Sequence, residues 1–168
     1  HEVGHCLGFM HNMGASAVYP VDSLRSPSFT QKHGTTASIM DYARFNYVAQ
    51  PGDLEKGVRL TPPRFGEYDR FMVKWNYAPV IGSKDMWEEY EVTSKWLHDA
   101  SYDPVLRYGR QQDEVLDPRS QSEDLGDDAV KASEYGVRNL KFVLDNIEDW
   151  VGDADKDMTY RKELYEWV

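Results

Sequence analysis

Residues 1–12 read HEVGHCLGFMHN, which is the pattern H-E-x-x-H-x-x-G-x-x-H followed by an asparagine. An α-helix turns by roughly 100° per residue, so His1 and His5 would lie on one face, within about 40° of each other. Both imidazoles could then reach one metal ion. Gly8 can adopt the positive φ that ends a helix sharply, which would bring His11 back as a third ligand. The stretch therefore predicts a three-histidine metal site.

Glu2 follows the first histidine but points about 100° away from it. This is the direction of the position that three imidazoles leave open for water on a tetrahedral zinc ion. Zinc lowers the pKa of its bound water to near 7, so Glu2 could accept a proton as the water attacks a carbonyl and pass it to the leaving amine. We predict that Glu2 is the general base. The opposite side of the helix is apolar, and we expect it to face a core; it carries Val3, Cys6, Leu7 and Met10.

An alternative interpretation of residues 1–12 is a histidine-rich amphipathic helix that packs in a core and binds no metal. The four fixed residues of H-E-x-x-H can arise by accident, but an accidental match is much rarer once Gly8 and His11 are included. The metal site is therefore the favoured interpretation.

The composition fits a folded protein of 168 residues, because 40% of them are apolar and they include 5 Trp, 11 Tyr and 6 Phe. The net charge of −10 argues against nucleic acid as a partner, since phosphate backbones bind clustered Lys and Arg. Cys6 is the one cysteine, which excludes an intramolecular disulfide. No apolar run approaches the roughly 20 residues of a membrane span. Because the sequence starts on the first predicted ligand, we expect it to be the C-terminal piece of a longer protein.

A second motif, SIMDY, occupies residues 38–42 and places Met40 29 positions after His11. With this motif the sequence resembles the metzincin clan of zinc endopeptidases, whose signature is H-E-x-x-H-x-x-G-x-x-H followed by a tight turn that carries a methionine. The resemblance implies that His1, His5 and His11 bind Zn²⁺. It also implies that Met40 forms an apolar floor beneath the three imidazoles and is not itself a ligand.

The tyrosine two residues after the methionine is a feature of the astacin-like and serralysin-like branches, where it can ligate zinc and then swing to stabilise the oxyanion. Tyr42 stands at the matching position, and the resemblance implies the same role for it. A phenol does offer a donor to a developing oxyanion. The alternative is a tyrosine that only packs in the turn. Asn12, directly after the third histidine, matches none of the residues typical of the best-known branches, so the branch stays open.

The second half of the sequence adds another resemblance. DPR at 117–119, DLGDD at 124–128 and KASE at 131–134 look like the C-terminal part of the Met-zincins, a family of large bacterial proteins grouped on this zinc signature. The resemblance would then cover nearly the whole chain. It implies a peptide or protein substrate and an extracytoplasmic location, either secreted or at the periplasm or cell surface.

The patterning predicts a mainly α fold. Residues 12–37 are rich in Ser, Thr, Gly and Pro and predict an irregular loop, in which His33 is more typical of a surface residue than of a ligand. Four further helices are predicted from caps and apolar spacing. They are Thr61–Tyr77, with Thr61 as N-cap and Pro62 at the first position; Lys84–Leu97, capped by Ser83; a long helix from Asp127-Asp128 to about Val151; and Tyr160–Trp167.

We assign residues 1–78 to the lower, methionine-turn half of a metzincin catalytic domain, and residues 79–168 to a helical C-terminal extension packed on it. The sheet-bearing upper half of such a domain, which binds extended substrates by strand addition, is absent from this sequence. We therefore expect that upstream half as a partner of the chain.

The favoured function is a zinc-dependent endopeptidase that uses a zinc-activated water. In isolation we expect the fragment to be inactive and to bind zinc weakly or not at all, since the first turn at His1 could fray. The alternative function is a non-catalytic helical interaction or structural module that retains the zinc signature.

Overall fold

A computed structural model describes residues 1–61, 64–114, 116–152 and 155–168. These residues form a mainly α-helical fold, as predicted, and no β-strand occurs among them. The α-helices of this described part are α1 (Glu2–Cys6), α2 (Pro27–His33), α3 (Glu67–Tyr77), α4 (Met86–Ala100), α5 (Ala129–Val151) and α6 (Thr159–Trp167). Short 3₁₀ helices occupy Ser16–Val18, Val21–Arg25 and Pro104–Leu106. Within the described ranges, none of the helices has the length and apolar character that a membrane crossing requires.

The hydrophobic core lies between the irregular segments of the first half and the start of α5. Its buried members come from residues 15–48 and from Leu125 and Ala132, and Tyr135 packs against them. Residues on both sides of position 78 thus share one core. The division into two domains at this position stays a prediction.

The prediction of an irregular loop over residues 12–37 is wrong for α2. Ser26 is the N-cap, and its hydroxyl accepts a hydrogen bond from the Phe29 amide at 3.3 Å. Pro27 takes the first helical position, where its missing N–H costs nothing. This Ser-Pro pair is a helix start signal that the abundance of polar residues obscured.

The predicted start of α3 is also wrong, whereas its end at Tyr77 is confirmed. Gly66 is the N-cap in place of Thr61, and the predicted first residue, Pro62, lies outside the described residues. Gly66 lies so close to the Ala37 carbonyl that a Cβ at this position would collide with it. The helix therefore begins where its backbone contacts the segment before Met40.

The remaining helices follow their predictions with small shifts in their caps. α4 is capped by Asp85 in place of Ser83, since the Asp85 carboxylate accepts from the Trp87 and Glu88 amides at 2.9 and 3.0 Å. Asp128 caps α5 and accepts from the Lys131 amide at 3.0 Å.

The predicted core face of α1 is wrong. Val3 and Met10 are 72% and 66% exposed, and Cys6 and Leu7 are exposed as well. The buried residue of this five-residue helix is Gly4, which packs directly against Met40. A Cβ on Gly4 would collide with the Met40 sulfur, so the helix approaches the core through its backbone and leaves its apolar side chains outside.

Candidate metal centre

The three histidines of the first motif come together, as the spacing predicts. His1 is the N-cap of α1, and its carbonyl accepts from the His5 amide at 3.1 Å. Gly8 has a φ of 82°, in the left-handed region that favours glycine, and there the chain reverses. As a result the ring centroid of His11 lies 4.7 Å from that of His5 and 5.2 Å from that of His1.

Each imidazole is held through its Nδ1 atom. The Nδ1 of His1 lies 2.7 Å from the Ile39 carbonyl oxygen, and the Nδ1 of His5 lies 2.9 Å from the Phe9 carbonyl oxygen. The Nδ1 of His11 contacts the side-chain oxygen of Gln111. Because these oxygens accept, each contact favours the tautomer with its proton on Nδ1, and a ring in that tautomer has a free lone pair on its Nε2 atom.

The free Nε2 atoms are arranged as a metal ion requires. One ring nitrogen from each histidine lies within 4.8 Å of the others. The Nε2 atoms of His5 and His11 are 3.0 Å apart, and the Nε2 of His1 is buried without a hydrogen-bond partner. Lone pairs that face each other at this distance repel unless a cation lies between them. Three imidazoles whose Nδ1–H groups are bound to oxygens are a typical zinc ligand set, so these residues fit the metal.

Met40 lies directly behind the histidine-bearing helix. Its side chain is fully buried against Gly4, and its carbonyl accepts from the Asn12 amide at 3.0 Å. The neighbouring Ile39 provides the carbonyl that binds His1. The turn that carries the methionine is therefore attached to the first histidine, and also to the residue that follows the third.

Asp69 fixes this turn to α3 and was missed as a site residue. The carboxylate is fully buried and accepts from the Ser38 hydroxyl at 2.6 Å, the Ile39 amide at 3.0 Å and the Gly66 amide at 2.7 Å. The sequence did contain a signal, because Asp69 interrupts the apolar spacing of α3 between Tyr68 and Met72. A carboxylate on a buried helix face must be hydrogen-bonded.

Tyr42 and Glu2 lie beside the histidines. The Tyr42 ring stacks on His1 with a centroid distance of 5.1 Å and an interplanar angle of 17°, and its centroid lies 4.6 Å from that of His11. The Arg44 guanidinium covers the Tyr42 ring at 5.5 Å. A cavity of about 470 Å³ opens next to these groups. Its lining includes His1, Glu2, Ile39, Tyr42, Ala43 and Arg44.

Asp41 also lines this cavity, and its environment favours its neutral form. Burial raises the pKa of its carboxyl to about 7, and the nearby Asp124 acts in the same direction. One carboxyl oxygen accepts from the Ser16 amide at 2.7 Å, and the other is buried without a partner. Burial also raises the pKa of Asp124, which accepts from the Ser16 hydroxyl at 2.6 Å.

His33 lies apart from the three-histidine cluster. Its Nδ1 is 2.9 Å from Glu67, and the same carboxylate accepts from the Tyr19 hydroxyl at 2.6 Å. The His33 ring also stacks on Phe29. These contacts join α2 to α3.

Three imidazoles on a short helix and a sharp glycine turn, backed by a buried methionine, form the arrangement typical of three-histidine metal sites, and they could bind a metal ion. Comparison of the sequence with protein families matches it, over residues 1–168, to the family described as Met-zincin. The chain belongs to the Met-zincin family, which gives it a metalloprotease-related function. Neither the curated proteins nor the solved structures include a match to this chain.

Proposed function

We propose that this chain carries the active site of a zinc-dependent endopeptidase, in which His1, His5 and His11 hold the metal. The observation that supports it best is the set of Nδ1 hydrogen bonds, which leaves each Nε2 atom free in a cluster where one ring nitrogen of each histidine lies within 4.8 Å of the others. A bound zinc ion would supply Lewis acidity, lowering the pKa of a water molecule to near 7 and polarising a carbonyl.

Glu2 is the proposed general base. It is exposed and lines the same cavity as His1 and Tyr42, so its carboxylate is accessible to a water molecule and to a peptide. In the proposed reaction Glu2 accepts a proton as the water oxygen bonds to the carbonyl carbon. It then delivers this proton to the amide nitrogen as the carbon–nitrogen bond breaks.

Tyr42 is the proposed donor to the oxyanion. Its ring packs against His1, His11 and the Arg44 guanidinium. A phenol fixed in this way can donate to an oxygen that becomes negative during the reaction, without reorganisation of its surroundings. Met40 is proposed to support the histidines from behind, through Gly4.

A Glu2→Gln substitution tests the proposal. In the natural protein that carries this chain, we expect hydrolysis of a casein or quenched peptide substrate to be abolished. We expect zinc content to be unchanged, because Glu2 is a proton acceptor and not a ligand. The matched control is Glu91→Gln, an exposed glutamate on α4, which should retain full activity. Peptidase activity that survives Glu2→Gln would refute Glu2 as the base.

A Tyr42→Phe substitution separates the donor role from packing. Loss of a donor used only in the transition state should lower kcat by roughly 10²-fold with little change in KM. An unchanged kcat would leave Tyr42 a packing residue. Zinc binding without hydrolysis in the wild-type protein would favour the alternative, a non-catalytic module. The weak zinc affinity expected of the isolated chain stays a prediction.

A further inference from the structure

The segment that follows α4 packs beside the third histidine through Asn12. This asparagine is fully buried, and its amide oxygen accepts from the Gly109 amide at 2.7 Å and the Gly14 amide at 3.2 Å. Its amide nitrogen donates to the Arg107 carbonyl at 3.0 Å. In addition, the Met13 amide donates to the Gly109 carbonyl at 2.7 Å. The residue directly after His11 therefore binds a segment almost a hundred positions away.

Glycines allow the two segments to approach this closely. A Cβ on Gly109 would collide with the Ser120 hydroxyl and would lie 2.6 Å from the Gly14 amide nitrogen. A Cβ on Gly14 would in turn lie 3.0 Å from the Gly109 amide nitrogen. Because these contacts are between backbone atoms, residue 109 has little freedom to move relative to residue 14.

Gln111 lies between two such fixed points. On one side is Gly109, and on the other is Gln112, whose side-chain oxygen accepts from the Leu116 and Asp117 amides at 2.9 and 2.8 Å. The side-chain nitrogen of Gln112 donates to the Asp117 and Ser120 carbonyls, each at 3.1 Å. The side chain of Gln111 is exposed, but its backbone is held on both sides, and its oxygen accepts from the Nδ1 of His11.

We propose that Gln111 is a positioning residue for the metal centre, which fixes the His11 imidazole with its Nε2 lone pair toward the other two histidines. His1 and His5 obtain the same support from backbone carbonyls, so His11 is the ligand whose orientation depends on a replaceable side chain. This assignment rests on the proposed zinc site, and the tautomer of His11 tests it independently of zinc.

The test compares Gln111→Leu, which removes the acceptor, with Gln111→Glu, which keeps one. Ring ¹⁵N NMR of the metal-free chain at pH 8 reports which nitrogen of His11 is protonated. We expect the Nδ1–H form in the wild type and in Gln111→Glu, and a shift toward the Nε2–H form in Gln111→Leu. The control is Gln31→Leu. Gln31 is exposed like Gln111, but its side-chain nitrogen donates to the Gly57 carbonyl at 2.9 Å, away from the histidines.

The second readout is zinc affinity, measured by chelator competition. Loss of a hydrogen bond to a ligating histidine typically costs roughly 10–100-fold in metal affinity, which we expect for Gln111→Leu but not for Gln111→Glu or Gln31→Leu. An unchanged His11 tautomer in Gln111→Leu overturns the assignment, and so does an unchanged zinc affinity. If the isolated wild-type chain binds no zinc, which agrees with the weak affinity predicted for it, zinc affinity is compared in the natural protein that carries this chain. Absence of zinc there as well refutes the proposed function, and the tautomer result then decides the role of Gln111.

Discussion

Residues 9–69, the loop region, and residues 79–168, the helical region, differ in how they are held in place. The loop region has little regular structure, yet it contains most of the buried apolar side chains. Among the described residues after position 78, only Ala100, Leu125, Ala132 and Ile147 belong to that buried set. By contrast, Met86 and Trp87 on α4 are each 70% exposed. Regular structure and burial are therefore concentrated in different parts of the molecule.

Buried polar side chains explain how the loop region is held together with few and short helices. Asn46 is fully enclosed, and its amide nitrogen donates to the Leu24 and Arg59 carbonyls at 2.8 and 3.0 Å. Asp53 is buried too, and it accepts from the Gln50 amide at 2.9 Å and from the Arg25 guanidinium at 2.7 Å. Such bonds satisfy backbone groups that a helix would pair internally. The helical region relies on its own intrahelical bonds and on caps such as Asp85 and Asp128.

The largest expected effect comes from a buried carboxylate of this kind. Asp69→Ala should lower the free energy of unfolding by about 4 kcal/mol, since it leaves the Ile39 and Gly66 amides and the Ser38 hydroxyl without their acceptor. Asp85→Ala removes an exposed cap from α4 and should cost about 1 kcal/mol. Urea unfolding of both variants measures the difference. Similar losses of unfolding free energy in Asp69→Ala and Asp85→Ala would show that the loop region does not depend on its carboxylates more than the helical region does.

A pair of leucines tests the apolar side of the comparison. Leu24 is 0% exposed, and Leu24→Ala should cost about 3 kcal/mol through lost burial and the cavity left behind. Leu97 on α4 is 48% exposed, and Leu97→Ala should cost less than about 1 kcal/mol, since alanine also favours the helix. Urea unfolding of both leucine variants measures these losses of unfolding free energy. A large loss for Leu97→Ala would mean that α4 is buried against something in solution.

The smallest expected effect concerns pH. The pKa of Asp41 is raised from 3.8 to about 7 in the folded state, so the folded protein holds this proton more tightly than the unfolded chain does. The resulting stabilisation is present at low pH and is lost as the pH rises toward and through 7. The stabilisation lost between pH 5 and pH 8 amounts to about 2.5 kcal/mol.

Asp41→Asn should remove this decline, whereas Asp145→Asn, on an exposed face of α5, should leave it intact. Urea unfolding at pH 5 and pH 8, with a chelator present to exclude metal, measures the decline in each variant. An equal decline in the wild type and in Asp41→Asn would mean that Asp41 is not the group responsible. Asp124, whose pKa burial also raises, would then be the next candidate.

Local patterns account for the parts of the fold and site that the sequence predicted. The spacing of His1, His5 and His11, with the turn at Gly8, needs only helix geometry and one glycine. The caps and apolar spacing of α5 likewise act within a few residues. The face of α1 could not be predicted in this way, because a five-residue helix is oriented by its contact at Gly4 and not by an apolar stripe.

Long-range partners account for most of what the sequence did not predict. His11 meets Gln111, and Asn12 meets Arg107 and Gly109, only because residues 107–112 pack beside residues 11–14. Neither periodicity nor composition indicates which distant segments will meet. The sequence marks Asp69 only as an interruption of an apolar pattern, since its Ser38 and Ile39 partners lie about thirty residues earlier in the chain. A side chain whose hydrogen-bond partners lie in a distant segment produces no recognisable pattern in the sequence around it.

The exposure of Cys6 has a practical consequence. It is the chain's only thiol, it lies on the outer side of α1, and it directly follows His5. A thiol-reactive fluorophore would therefore attach at a single position, one residue from the histidine cluster, without any substitution elsewhere. Metal uptake and substrate docking could then be followed by fluorescence in the otherwise unaltered protein.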